Sequence, residues 1–92
     1  ADIVAPAQVS AGTEFQVIPN GPVIRENGDD VYITITRPDE GPGSYSGGYE
    51  YVVSSGTPLN FTAPEEPGRY EIRYVMVSNV AAVIVSQVLD VN

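Results

Sequence analysis

Asp30 to Thr36 reads DVYITIT, which sets Val31, Ile33 and Ile35 on one side of an extended chain and Tyr32, Thr34 and Thr36 on the other. Short segments of this kind, each ended by Gly, Pro, Asn or Asp, recur along the whole chain and confine it to an all-β fold. In Val9 to Ile18, Phe15 and Val17 alternate with Glu14 and Gln16. Ahead of it, Ile3 and Val4 run up to Pro6, which suits an edge strand that breaks and resumes. Further on come YEYVVSS (Tyr49 to Ser55), PLNFTAP with Leu59 and Phe61 pointing one way, RYEIRYVMV from Arg69, and VAAVIVSQVLDV from Val80. In the last of these Val83, Ile84 and Val85 break the alternation, which predicts a bulge. The breaks are NGPVIRENGDD (Asn20 to Asp30), where Asn27-Gly28 suits a tight turn, RPDEGPGSYSGG (Arg37 to Gly48), and a turn at Ser78-Asn79.

About seven short strands with turn signals every ~8–12 residues predict an antiparallel two-sheet sandwich of the immunoglobulin-like, Greek-key kind. A closed barrel is the alternative. Residues 1–92 suffice for one domain with one core. No apolar run reaches the length of about 18 residues that a membrane helix needs, so no membrane insertion is expected. The start at Ala1 rather than Met reads as a processed end or a piece of a longer chain.

The stretch APEEPGRYEIRY, from Ala63 to Tyr74, turns sharply and then points a tyrosine inward. Pro67 fixes φ and Gly68 permits a tight bend, so the chain can cross between sheets before its sixth strand. In immunoglobulin-like sandwiches a tyrosine at this corner bonds its hydroxyl back to the backbone, two residues before a core position. Here Tyr70 takes the first role and Ile72 the second, with Tyr74 on the same face. The plainer reading makes Tyr70 one more inward aromatic.

DVYITIT, then GSYSGGYEYVVSSGTPLNFTAPEEPGRYEIRYV, then a final strand resemble the immunoglobulin-like β-sandwich domain of bacterial secreted or envelope proteins that also carry a von Willebrand factor A domain. The likeness spans residues 3–91. It implies a periplasmic, cell-envelope or secreted accessory module without catalytic residues, whose partners are another protein or neighbouring domains of the same chain. The chain departs from that family in having no Trp and a longer loop from Asn20 to Asp30.

The residue inventory excludes much chemistry. Without His or Cys no Ser-His-Asp or Cys-His arrangement can be assembled, and zinc, copper and haem lack their usual ligands. Without Lys there is neither a Schiff base nor a Lys-Asn crosslink. A facing carboxylate pair remains formally open for glycoside chemistry. The net charge of −8, from 12 acidic residues against Arg25, Arg37, Arg69 and Arg73, repels phosphate backbones and anionic lipid, so nucleic acid is not an expected partner.

Calcium is the one ion this oxygen-rich chain suits. In the expected topology Asp39, Glu40, Glu65 and Glu66 share a pole and are its candidate ligands, although no Asp-x-Asp-x-Asp spacing supports a dedicated loop. At the opposite pole Val23, Ile24 and Arg25, with Asn79 and Val80 across the turn, either tuck over the core or form a contact patch. Tyr45, Tyr49 and Tyr51 are candidates for stacking on sugar if they lie exposed on one face. Asn60-Phe61-Thr62 matches a glycosylation sequon, but Asn60 reads as an ordinary solvent-facing strand residue. The uncharged stretch from Ala81 to Val85 must pair along its length or be covered by another chain. The overall expectation is a non-catalytic interaction or spacer module, with a carbohydrate- or calcium-binding module as the alternative.

Overall fold

The computed structural model describes residues 2–20, 30–42, 44, 47–77 and 80–92. Every regular element among them is a strand: β1 (Asp2–Val4), β2 (Gln8–Val9), β3 (Glu14–Asn20), β4 (Asp30–Thr36), β5 (Tyr49–Tyr51), β6 (Leu59–Thr62), β7 (Gly68–Val77) and β8 (Ala81–Val91). They form a three-stranded sheet in the order β1-β3-β6 and a five-stranded sheet in the order β2-β8-β7-β4-β5, one of the two curled as a half-barrel.

Eight strands stand where about seven were expected, because the first segment is divided between the sheets. β1 pairs antiparallel with β3, whereas β2 runs parallel to the end of β8 through Gln8 opposite Asp90 and Val9 opposite Val91. Pro6 lies between the two pieces, and a residue with no N–H cannot continue a ladder. The fourth segment is shorter than its alternation suggested. β5 ends at Tyr51, and after one more backbone bond, from Val52 N–H to the Val31 carbonyl at 2.9 Å, the chain leaves the sheet. Val52 is itself fully buried, and the departure continues through a turn in which Gly56, at φ +81°, donates to the Pro19 carbonyl.

β4 behaves as its pattern dictates. Val31, Ile33 and Ile35 enter the core together with Val17, Leu59, Phe61, Tyr70, Ile72, Tyr74, Leu89 and Val91. Phe15 and Phe61 face each other across β3 and β6 with ring centroids 6.0 Å apart. The bulge predicted in the final strand is present. Tyr74 lies opposite Val85 and Val75 opposite Val83, which leaves Ile84 as the extra residue.

The loop that starts at Arg37 returns to the sheet through Gly47, whose N–H reaches the Ile35 carbonyl at 2.7 Å. A Cβ at this position would lie 2.8 Å from that same oxygen, so only glycine allows the close approach.

Candidate functional site

The corner before β7 forms as the sequence pattern suggests. The Tyr70 hydroxyl donates to the Glu66 carbonyl at 2.7 Å, and the ring is almost completely buried. Pro67 and Gly68 make the bend, and β7 begins at Gly68 opposite Val91. One participant was not anticipated. Arg37 lays its guanidinium carbon 4.3 Å above the Tyr70 ring and reaches Glu66 at 3.0 Å, so a residue from the end of β4 clamps the corner. Nothing local in the sequence marks Arg37, because its partners lie about thirty positions away.

The acidic candidates do not converge on an ion. Glu66 is paired with Arg37, the Glu40 carboxylate accepts from Ser44 Oγ, and the Glu65 carboxylate lies beside Gly12. Asp39 is exposed. Among the described residues no three acidic side chains are gathered as metal ligands. Sharing a pole is a coarse constraint, and Glu40, Glu65 and Glu66 each lie against a different neighbour.

At the other pole, Val23, Ile24, Arg25 and Asn79 lie outside the described residues, and Val80 is 73% exposed. Tyr45 is likewise outside them. Asn60 is exposed on β6, where it accepts from Gln16 Nε2 at 3.0 Å. Ala81 to Val85 pairs with β7, as ordinary pairing required. On its other side β8 meets β2 only at Asp90 and Val91, while Gln87 Nε2 holds the Ala5 carbonyl at 3.1 Å.

The feature best placed to meet a partner is the outer face of the five-stranded sheet. Residues directly opposite one another in an antiparallel ladder point to the same side, so the registers place Val83, Val75, Tyr32 and Tyr51 in one row across β8, β7, β4 and β5. The next row is Ser86, Arg73, Thr34 and Tyr49, and a third holds Val88, Glu71 and Thr36. Tyr49 and Tyr51 are 46% and 51% exposed, and Val83, Ile84 and Val88 are also exposed. The three tyrosines of this face touch one another, with centroids 5.7–6.1 Å apart. Tyr49 and Tyr51 were legible as candidates, whereas Tyr32 joins them only through the β4–β5 register.

At the centre of this face Arg73 and Thr34 of the middle row are buried. Arg73 is 5% exposed, and its guanidinium is held by the Glu71 carboxylate and by carbonyls of Pro38, Glu40 and Gly41. It therefore pins the 38–41 segment against the sheet. The Oγ1 atoms of Thr34 and Thr36 are buried without a hydrogen-bond partner among the described residues. Thr34→Val keeps the branched shape and removes that hydroxyl, so it is expected to stabilise the domain by about 1 kcal/mol. The check is a higher urea midpoint at unchanged slope; a lower midpoint would mean that the hydroxyl is satisfied.

Fold and site together define an all-β, two-sheet domain that exposes an aromatic and aliphatic sheet face. Comparison of the chain with protein-family models, with curated proteins and with solved structures gives no match.

Proposed function

We propose that the domain is a non-catalytic interaction module of immunoglobulin-like, Greek-key type, carried by a larger bacterial extracytoplasmic protein, and that it docks through the outer face of its five-stranded sheet. The observation that carries the docking reading is the apolar character of that face. Tyr49 and Tyr51 are exposed on β5 and Val83, Ile84 and Val88 on β8, two groups on one sheet separated by β4 and β7, whereas singly scattered apolar residues would need no explanation. Three features support the Greek-key reading: the split first strand, the placing of β8, β7 and β4 side by side, and the Tyr70 hydroxyl bonded back to Glu66. The lack of His, Cys and Lys supports the non-catalytic part. A rigid scaffold with a prepared face can bind without large backbone movement.

The test is photocrosslinking in the host cell with a reactive residue placed at position 51 or 84, and at Asn60 on the other sheet as control. A discrete adduct from positions 51 and 84 but not from 60 is expected. Equal labelling from all three, or none from any, would leave a spacer as the better description.

A further inference from the structure

Asp2 and Asn92 lie at opposite ends of β3. The β1–β3 register sets Asp2 across from Asn20, where β3 stops. Asn92 lies at its start: the Asn92 carbonyl accepts from Ala11 N–H at 2.9 Å, Gly12 N–H reaches the Ala63 carbonyl at 3.2 Å, and Ala63 N–H reaches Thr13 at 2.8 Å. The length of β3, roughly 20 Å, therefore separates the two residues. We propose that the domain bears tension applied between Asp2 and Asn92, and that the bonds tying β2 to β8 are what hold it folded under that pull.

The direction of the strands carries the proposal. β2 runs parallel to the end of β8, so drawing Asp2 and Asn92 apart pulls β2 by its leading end and β8 by its trailing end. The two strands are thereby made to slide along each other. Three backbone bonds cross the line of sliding: Asp90 N–H to the Ala7 carbonyl, Asn92 N–H to the Val9 carbonyl, and Ala11 N–H to the Asn92 carbonyl, each at 2.9 Å. Bonds loaded side by side in this way fail together, whereas an antiparallel pair opened from one end gives them up singly.

A side chain extends the same tie. Pro6 has no N–H to offer, and beside it Gln87 Nε2 donates to the Ala5 carbonyl at 3.1 Å and the Pro6 carbonyl at 3.3 Å. β8 in turn is paired along β7 from Ala81 to Val91, so the load passes into the centre of the five-stranded sheet.

Single-molecule pulling tests the proposal. The chain has no cysteine, so two introduced thiols fix where force enters. Handles at Asp2→Cys and Asn92→Cys load β2 against β8 lengthwise. Handles at Glu65→Cys and Asn92→Cys instead open β7 and β8 from the Gly68–Val91 end, pair by pair. The first arrangement is expected to rupture at a force at least about threefold higher at the same pulling speed, since forced unfolding follows the unfolding barrier. Gln87→Leu should raise the rupture rate at fixed force about fivefold in the first arrangement, the equivalent of one lost hydrogen bond, and leave the second unchanged.

Equal rupture forces in the two arrangements, which need no change at Gln87, overturn the proposal. So does a Gln87→Leu effect of the same size in both, which would make this amide an ordinary fold contact. Neither result involves positions 51 or 84, so the docking face stands or falls on its own crosslinking test.

Discussion

Replacing Arg73 by methionine is expected to lower the unfolding free energy by about 3 kcal/mol, because it strips the donors from a buried set of acceptors while keeping the apolar stem. Nε of Arg73 donates to Glu71 at 2.9 Å, Nη1 to the Glu40 and Gly41 carbonyls at 2.9 Å each, and Nη2 to the Pro38 carbonyl at 3.3 Å. Methionine would leave those oxygens to find water at a face that is now closed. The 38–41 segment should then exchange its amide hydrogens much faster, beginning with Glu40, whose N–H bonds the Arg37 carbonyl. Lysine at this position should recover only part of the loss, since an ammonium cannot reproduce the planar fork. Urea unfolding combined with hydrogen exchange reads both effects. An unchanged midpoint with unchanged exchange would show that the loop is held by other means.

The second large effect belongs to Tyr70. Truncation to alanine removes an almost fully buried ring from the junction of two sheets and is expected to cost about 4 kcal/mol. For a domain of this size that is a large part of a total stability of roughly 5–10 kcal/mol. Tyr70→Phe isolates the hydroxyl. It keeps the ring under Arg37 and loses only the 2.7 Å bond to the Glu66 carbonyl, so a loss of about 1 kcal/mol is expected. Melting temperature and urea midpoint of the two variants, measured side by side, separate packing from the corner bond. A Phe variant as stable as the parent would reduce the corner to a matter of shape.

These two residues also show how far the sequence could be read. Tyr70 was legible because everything it needs lies within five residues: a proline, a glycine, and a hydroxyl that returns to the backbone four positions earlier. Arg73 was not, since its alternation places it on the outer face of β7, where an exposed charge is the ordinary expectation. Its burial comes from a loop more than thirty residues upstream that folds back over it. The acidic candidates part for mixed reasons. Glu66 meets Arg37, brought in from the end of β4, whereas Glu40 accepts from Ser44, four residues on in its own loop. The tyrosine face was half visible: Tyr49 and Tyr51 are two apart and share a side, while Tyr32 enters by the register that sets it opposite Tyr51.

What the chain carries locally is the two-residue period of its strands, the places where Pro and Gly interrupt them, the bulge at Ile84 and the bend at Pro67-Gly68. These follow from φ/ψ preferences and from one face needing to leave water, and both act over a few residues. Tertiary structure alone decided that the first segment divides between two sheets, that β5 joins β4, and that Arg73 is enclosed. It also decided that three tyrosines meet on the outer face of the five-stranded sheet. Each of those outcomes depends on which strand edge pairs with which, a choice settled by the packing of the whole core and written in no single stretch of residues.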